Sequence, residues 1–279
     1  KDSPGLGTWT ISLGFTASYS ALAPQQPAEY ESLRVRLNQD ADKMFLRRET
    51  GLGSYHRTNI VTCVLWMALF LGAGPVHAAF AEDAPNPKWE PDIQAIEKKV
   101  TSGQTKKNAY VFVGSSSIRL WKLDTSFPKM PVANHGFGGS VLSDSVDYFD
   151  RLVTAAEPQI IVVYAGDNDV AAGKKPETIA DDFRKFLGLV HSKVPSCRKV
   201  IYISIKPSVK RWAMADTMQK TNRLIEDLCK ADEKAEFLDI WPLMLNANGM
   251  PRPELLAEDG LHLNEAGYAL WNDALRPLL

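Results

Sequence analysis

The sequence lacks an excess of charge of either sign. Its 279 residues include 32 Lys and Arg against 33 Asp and Glu, and the formal net charge of −1 gives no sign of nucleic-acid binding. The sequence also has no cluster of His, Cys, Asp and Glu with the spacing of a zinc site, so neither a metal nor another cofactor is predicted. With 45% hydrophobic residues, the chain can bury a full core.

The sequence has one long hydrophobic run, and it is short for a membrane span. Residues Ile60–Gly74 form about fifteen uncharged positions, whereas a transmembrane helix needs roughly twenty. A basic region with Arg47 and Arg57 precedes the run, and small-residue cleavage patterns end at Ala78 and Ala81. This order is typical of a signal peptide and predicts export, to the periplasm or the medium, after cleavage near Ala78 or Ala81. An uncleaved anchor or a buried core helix is the alternative.

These features divide the chain into three parts. Residues 1–56 show no sustained helical or strand period and are interpreted as a disordered or upstream segment outside the domain. Residues 57–81 form the signal-peptide-like segment, and residues 82–279 have the size of one domain. The mature form is therefore expected to have no stable membrane span.

Cysteine is scarce, with three residues in the chain, and Cys63 lies in the hydrophobic run. In an oxidising compartment the remaining two, Cys197 and Cys229, are candidates for a disulfide, because one precedes a predicted strand and the other ends the helix that returns beside it. Free buried thiols are the alternative.

From residue 82 onward, strand and helix patterns alternate. The apolar run Tyr110–Val113 stops at Gly114 like a strand buried on both faces, and Ile160–Tyr164 is apolar throughout, like a central parallel strand. The other predicted strands lie at 132–133, 200–205 and 235–238, and the predicted helices near 93–100, 143–153, 179–190, 214–228 and 265–275. The alternation predicts an α/β domain with a mostly parallel sheet and helices on both faces.

Four loops carry polar side chains or glycines. Residues 115–117 are three serines, residues 134–140 are glycine-rich, residues 166–169 read Gly-Asp-Asn-Asp, and Asp259 and His262 precede the last helix. Parallel strands bring such loops to one edge of a sheet, where α/β proteins bind ligands. Ester cleavage requires a hydroxyl, a base, a carboxylate that orients the base, and donors for an oxyanion, and this set contains all of them.

Each loop also has a purely structural interpretation. A serine after glycine is a common helix N-cap, Gly139 fits an ordinary turn, and Asp167–Asp169 fits an Asx turn. Asp259 followed by Gly260 is a frequent turn pair, and His262 fits a cap or a surface imidazole. The joint occurrence of the loops, in order along the chain, favours a catalytic site.

As a set, the loops resemble the four sequence blocks of the SGNH or GDSL-type lipases and esterases. Gly114-Ser115-Ser116 matches the first block, usually Gly-Asp-Ser, with Ser115 in the place of Asp. Residues 134–139 match Asn-x-x-x-x-Gly, residues 166–169 match Gly-x-Asn-Asp, and residues 259–262 match Asp-x-x-His. The resemblance covers residues 82–279 and implies a three-layer, flavodoxin-like α/β/α sandwich whose five strands have the order 2-1-3-4-5.

The resemblance implies roles for five residues. Ser116 is the implied nucleophile, His262 the base and Asp259 the carboxylate that orients the imidazole. The backbone N–H groups of Ser116 and Gly139 and the side-chain amide of Asn168 are the implied oxyanion donors. The two neighbouring serines also carry hydroxyls, so the choice of Ser116 depends on the block alignment and the Gly-x-Ser spacing.

The predicted function is hydrolysis of short-chain carboxylic acyl esters, on a small-molecule or glycan substrate, through an acyl-enzyme intermediate. Deacetylation of polysaccharides and cleavage of lysophospholipids or thioesters are alternatives within the same family. Two binding functions compete with catalysis: a flavodoxin-like protein whose serines cradle a phosphate, and a glycan-binding relative without turnover. Trp121, Phe137 and Trp212 are candidates for the pocket or for the core.

Overall fold

A computed structural model describes residues 9–13, 17–21 and 85–279 of the chain. The chain divides into two compact units, Lys1–Ala79 and Phe80–Leu279. In the first unit, strand β1 (Trp9–Leu13) pairs antiparallel with β2 (Ala17–Ala21), which the sequence analysis did not predict. The rest of residues 1–56 and the signal-peptide-like segment lie outside the described residues, so their assignment stays a prediction.

The second unit alternates strands and helices along the chain. Its elements are α1 (Glu90–Thr101), β3 (Tyr110–Gly114), α2 (Ser116–Arg119), α3 (Leu123–Ser126), β4 (Val132–Gly136), α4 (Leu142–Asp147), α5 (Phe149–Leu152), β5 (Ile160–Tyr164), α6 (Asp167–Ala171), α7 (Pro176–Lys193), β6 (Lys199–Ile203), α8 (Ala215–Ala231), β7 (Ala235–Leu238) and α9 (Glu265–Leu275). Short 3-10 helices lie at Pro87–Trp89, Thr154–Ala156, Trp212–Met214, Pro242–Met244, Pro253–Leu255 and Arg276–Leu278. In the described part of the chain, no helix is both long enough and apolar enough to cross a membrane.

The sheet of the second unit is parallel throughout. Its five strands have the order β4-β3-β5-β6-β7, which is 2-1-3-4-5 when β3 is counted as the first, and the predicted fold class is confirmed. Gly114 at the end of β3 pairs with Gly136 of β4 on one side and with Tyr164 of β5 on the other. The loops that follow these three strands therefore start side by side, at one edge of the sheet.

Buried side chains on both faces of the sheet produce the three layers. Val111 and Val113 of β3 enter one core cluster, to which α1, α7 and α8 contribute. Phe112, between them, enters a second cluster on the opposite face, which includes Trp271 of α9. Because successive strand side chains point to opposite faces, a strand covered on both sides must be apolar at every position. This explains the continuous apolar runs of the sequence.

Strand β6 ends at Ile203 and not at the predicted residue 205, and two further predicted elements also differ from the structure in their extent. Strand β4 continues to Gly136 instead of ending at residue 133, because its pairing with β3 extends through Gly114. The predicted helix at 143–153 is two helices, α4 and α5, since the backbone of Tyr148 between them has φ −96° and ψ 14°.

Cys197 and Cys229 are free thiols, and both are buried. The disulfide alternative is therefore wrong for this structure, and the free-thiol alternative is correct. Burial raises the pKa of Cys197 and, together with the nearby Asp232 and Glu226 carboxylates, raises the pKa of Cys229 to about 12. Protonated and buried thiols are chemically inert.

Candidate active site

Ser116 lies two residues after Gly114, a position at the end of β3 where the structure requires a glycine. Gly114 has φ +137°, and a Cβ atom there would lie 1.9 Å from the carbonyl oxygen of Tyr164. The chain turns sharply at this point and starts α2 with Ser116 as its first residue. Ser116 is partly exposed, whereas Ser115 and Ser117 are buried. Of the three serines, only Ser116 can meet a substrate from solvent.

His262 lies between Ser116 and Asp259. Its Nε2 atom is 3.0 Å from Oγ of Ser116, and its Nδ1 atom is 2.5 Å from Oδ2 of Asp259. Because an ionised carboxylate only accepts hydrogen bonds, the proton of the neutral imidazole lies on Nδ1, and Nε2 accepts from the serine hydroxyl. The structure thus joins three predicted residues in one hydrogen-bonded chain.

Asp259 is held as a carboxylate by its own turn. Its Oδ1 atom accepts the backbone N–H groups of Leu261 and His262, each at 2.9 Å. The His262 N–H, then the Leu261 N–H, then the imidazole hold the pKa of Asp259 well below its usual range. Asp259 therefore remains ionised at mildly acidic pH and can orient the imidazole there.

The loop that carries Asp259 and His262 is fixed at both sides. On one side, Asn264 caps α9, and its Oδ1 accepts the N–H of Gly267 at 3.0 Å. On the other side, the backbone N–H of Lys210 donates to the carbonyl oxygen of Gly260 at 3.0 Å. The imidazole is therefore presented by a loop with few conformational choices.

The three predicted oxyanion donors lie in the segments that follow β3, β4 and β5 at one edge of the sheet. Ser116 is the first residue of α2, so its N–H has no acceptor within the helix. Gly139 has φ +83°, a conformation that favours glycine, within the loop after β4. Asn168 belongs to α6, and its Nδ2 donates to the carbonyl oxygen of Ser140 at 2.9 Å. This bond connects the glycine loop directly to Asn168.

Asp169 is a residue of this region to which the sequence analysis gave no role. It is fully buried, and both of its carboxylate oxygens accept the N–H of Leu142, at 3.1 and 3.0 Å. Lys174 pairs with it at 2.9 Å. The signal available in the sequence was its place as the last residue of the Gly-x-Asn-Asp block.

A group of charged side chains that the sequence does not single out lies beside Asn168. Asp167 is buried, and its Oδ2 lies 2.8 Å from Nη1 of Arg211 and 3.4 Å from Nζ of Lys206. Lys206, only 1% exposed, also donates to the Tyr164 hydroxyl at 3.2 Å. Basic residues after a predicted strand usually belong to a solvated loop, so the sequence gave no reason to single them out.

The three aromatic residues considered for the pocket or the core differ in their burial. Phe137 is fully buried and contacts Trp89 edge to face at 5.6 Å, and Trp121 is buried against Phe112 at 5.4 Å. For both, the core alternative is correct. Trp212 is half-buried, and its ring stacks at 6.0 Å on a neighbouring indole.

The groups at this edge suit nucleophilic acyl chemistry. A hydroxyl, an imidazole and an ionised carboxylate form one hydrogen-bonded chain, and the predicted N–H donors lie in segments that leave the same edge of the sheet. Among the residues that the structure describes, no three His, Cys, Asp or Glu side chains are grouped to hold a metal ion. The arrangement can remove the proton of Ser116 and stabilise a negative oxygen beside it.

Comparison with protein families gives a match over more than half of the chain. A sequence model of the GDSL-like lipase/acylhydrolase family matches residues 119–270. The matched range includes Gly139, Asn168, Asp259 and His262, and it begins just after Ser116. The assignment of Ser116 therefore depends on the geometry and on the sequence block around it.

A curated relative shows low sequence identity to this chain. The GDSL lipase Rv0518 of Mycobacterium tuberculosis is 28% identical over 153 residues, which are 53% of this chain and 63% of that protein. The chain thus spans less than two thirds of the length of this curated relative.

Solved structures share the fold of the second unit. A Streptococcus pneumoniae protein assigned as a platelet activating factor aligns with a TM-score of 0.63 and 18% identity, over 79% of this chain and 99% of its own. A GDSL-like lipase of Bacteroides thetaiotaomicron aligns with a TM-score of 0.56 and 21% identity, over 67% and 97%. At such identities, the likeness establishes the fold.

Proposed function

The chain belongs to the GDSL-like lipase/acylhydrolase family, and we propose that it is a serine esterase that hydrolyses short-chain carboxylic acyl esters. The observation that carries this proposal is the continuous chain from Ser116 through His262 to Asp259, with contacts of 3.0 and 2.5 Å. A nucleophile, a base and an orienting carboxylate in hydrogen-bond contact are the minimum set for acyl transfer through a serine.

In the first step, Nε2 of His262 takes the proton of Ser116 as the serine oxygen bonds to the ester carbonyl carbon. The carbonyl oxygen becomes negative and accepts hydrogen bonds from the N–H groups of Ser116 and Gly139 and from the Asn168 amide. Asp259 stabilises the imidazolium. His262 then gives its proton to the leaving alcohol as the carbon–oxygen bond breaks, and the acyl group stays on Ser116.

In the second step, His262 takes a proton from a water molecule whose oxygen attacks the acyl carbon. The same donors hold the second oxyanion. When the bond to Ser116 breaks, the serine oxygen recovers its proton from His262 and the carboxylic acid leaves. One water is consumed, and one alcohol and one acid are formed.

The exposure of the site supports short acyl groups. The side chains of His262 and Asp259 are 31% and 39% exposed, so the candidate reacting centre is open to solvent. An open site can accept an acetyl or butyryl group but gives little apolar contact to a long acyl chain. It also leaves room for a large alcohol part, and an acetylated glycan is therefore the second candidate substrate.

Export belongs to the same proposal. It is supported by the basic region, the apolar run and the cleavage patterns that end at Ala78 and Ala81. Expressed in a bacterial host, the full chain should yield an extracytoplasmic product whose N-terminal residue is Ala79 or Glu82. Accumulation of the uncleaved chain in the cytoplasm would contradict export.

The decisive assay is hydrolysis of p-nitrophenyl acetate, butyrate and octanoate by the wild type and by Ser116→Ala. We expect acetate and butyrate to react faster than octanoate, and Ser116→Ala to lose at least about 10³-fold in kcat while it stays folded. Ser115→Ala is the matched control, because its hydroxyl is buried and has no hydrogen-bond partner, and it should stay within about threefold of the wild type.

The result that contradicts the proposal is an active Ser116→Ala protein, or a wild type inert both on these esters and on acetylated oligosaccharides. Release of acetate from oligosaccharides alone would keep the serine mechanism and select the glycan substrate.

A further inference from the structure

Arg211 contacts the side chain that the proposed mechanism uses as an oxyanion donor. Its Nη2 donates to Oδ1 of Asn168 at 2.9 Å, across 43 residues of sequence, and its Nη1 donates to Oδ2 of Asp167 at 2.8 Å. We propose that Arg211 is a positioning residue, which fixes the orientation of the Asn168 amide and strengthens it as a donor. This inference rests on the proposed esterase function.

The amide of Asn168 has two orientations, which exchange its oxygen and its nitrogen. A guanidinium only donates hydrogen bonds and a carbonyl oxygen only accepts them, so Arg211 and Ser140 select one orientation from opposite ends. Oδ1 faces Arg211 at 2.9 Å, and Nδ2 faces the Ser140 carbonyl at 2.9 Å. The flipped amide would place donor against donor and acceptor against acceptor.

The selected orientation leaves one N–H of Asn168 for the reaction. Nδ2 carries two hydrogens, and the Ser140 carbonyl uses one of them. Asn168 is partly exposed, and the proposed mechanism uses the second hydrogen as an oxyanion donor. A charge-assisted hydrogen bond to Oδ1 draws electron density from the amide and makes the remaining N–H a stronger donor. Arg211 thus acts on the reaction through Asn168 without touching substrate.

Arg211 is itself held in place. Its side chain is 15% exposed and pairs with the buried Asp167, whose Oδ2 also lies 3.4 Å from Nζ of Lys206. The next residue, Trp212, stacks on Trp241 with ring centroids 6.0 Å apart. A guanidinium fixed in this way loses little conformational freedom during the reaction, which is the condition for a preorganised site.

Charge and geometry make separable contributions. Lys206 and Arg211 face the single carboxylate of Asp167, and an excess of positive charge near a developing oxyanion is favourable. Arg211→Lys keeps the charge but lacks the planar fork that reaches Asp167 and Asn168 together. The two variants Arg211→Met and Arg211→Lys therefore distinguish an effect of orientation from an effect of charge alone.

The test is a double-mutant cycle on p-nitrophenyl acetate with Arg211→Met, Asn168→Ala and the double variant, together with Arg211→Lys. We expect Asn168→Ala to lower kcat by roughly 10²–10³-fold, and Arg211→Met and Arg211→Lys to lower it by at least about tenfold, with KM changed less than about twofold. In the Asn168→Ala background, Arg211→Met should change kcat less than about twofold. Arg223→Met is the control, since it removes an exposed arginine of α8, and it should match the wild type.

Two kinetic results overturn the inference. The first is an equal loss from Arg211→Met with and without Asn168, because Arg211 would then act by another route. The second is wild-type kcat in Arg211→Lys, because charge alone would then suffice. If Arg211→Met does not fold, the cycle is run with Arg211→Lys.

A spectroscopic measurement separates this inference from the esterase proposal. An inert wild type or an active Ser116→Ala contradicts the esterase, whereas the side-chain amide NMR signal of Asn168, identified by its loss in Asn168→Ala, reports the orientation directly. Arg211→Met should shift this signal and Arg223→Met should not. An unshifted signal in Arg211→Met overturns the inference, whatever the esterase assay gives.

Discussion

The backbone N–H of Leu142 donates to both carboxylate oxygens of Asp169, at 3.1 and 3.0 Å, and joins the segments that follow β4 and β5. The same carboxylate pairs with Lys174 at 2.9 Å and is fully buried. The end of the glycine loop with Gly139 is therefore held by the segment that follows β5, close to Asn168. Two of the proposed oxyanion donors share one buried anchor.

Replacing Asp169 should destabilise the folded protein. Asp169→Ala leaves the Leu142 N–H unpaired and deprives Lys174 of its closest partner. We expect this variant to lose about 3 kcal/mol in its free energy of unfolding, measured by urea titration. Asp181→Ala is the control, because its ion pair with Arg184 lies on the surface and should contribute less than about 0.5 kcal/mol. Equal stabilities of the two variants would show that the Asp169 anchor is not needed.

Gly114→Ala should prevent the fold from forming. The added Cβ would lie 1.9 Å from the Tyr164 carbonyl oxygen, which belongs to a central strand and cannot move aside, and φ is +137°. Gly173→Ala is the matched control, since Gly173 also has positive φ, +80°, but no atom within 4 Å of the added carbon. We expect Gly173→Ala to cost about 1–2 kcal/mol and to stay folded. Similar thermal unfolding midpoints for both variants would contradict this view of β3.

His135 should make the fold sensitive to mild acid. Burial, followed by the nearby charge of Lys99, lowers its pKa from 6.5 to about 4, against the opposing effect of its 2.6 Å contact with the Leu152 carbonyl. Between pH 6.5 and 4 the unfolded chain binds a proton that the folded protein does not, so stability is complete above pH 6.5 and is lost as the pH falls toward 4. At about 1.4 kcal/mol per pH unit, the loss reaches about 3 kcal/mol.

The measurement is urea unfolding of the wild type and His135→Gln at several pH values from 7.5 down to about 4. Glutamine does not titrate, so the variant should lose less stability on acidification than the wild type. Parallel curves would mean that another group causes the pH dependence.

Asp259→Asn should inactivate the enzyme and preserve its structure. The amide oxygen can still accept the N–H groups of Leu261 and His262, whereas its N–H₂ group facing Nδ1 forces the imidazole proton to Nε2. An imidazole protonated at Nε2 cannot take the proton of Ser116, and a loss of about 10⁴-fold in kcat is expected. The p-nitrophenyl acetate assay and thermal unfolding check both parts, and a variant within tenfold of the wild type would refute the assigned tautomer.

The Asp259 carboxylate should not contribute to the acid side of the pH–rate profile. The N–H groups of its turn hold the pKa of Asp259 well below the usual range, so the carboxylate stays ionised in mildly acidic solution. The logarithm of kcat/KM should therefore change with a slope no steeper than one between mildly acidic and neutral pH. A slope of two in this range would show that the Asp259 carboxylate also takes up a proton there.

The sequence was sufficient to predict the sheet and to select three residues that the structure brings into contact. Ile160–Tyr164 is apolar at every position because both faces are covered, and this local signal needs no knowledge of distant partners. Ser116, Asp259 and His262 stand in short blocks with fixed spacing, and so a resemblance to known enzymes is enough to find them. The structure places all three in contact.

The supporting residues could not be predicted in the same way. Arg211 meets Asn168 across 43 residues, and Asp169 meets Leu142 across 27, so their contacts depend on how loops from different strands are arranged. The positions of Trp121 and Phe137 were equally hard to predict, because an aromatic residue near a catalytic block can face the core or the substrate. The local sequence does not distinguish these two positions.

The last helix has a consequence for the timing of synthesis. Tyr268 of α9 donates to the carbonyl oxygen of Ser117, and Trp121 donates to Asn272, across 151 residues in both cases. Ser116 is synthesised long before this helix, whereas the contacts that join the helix to the serine segment can form only after the helix is complete. Under the proposed mechanism, we therefore expect a chain that ends before α9 to be inert toward esters.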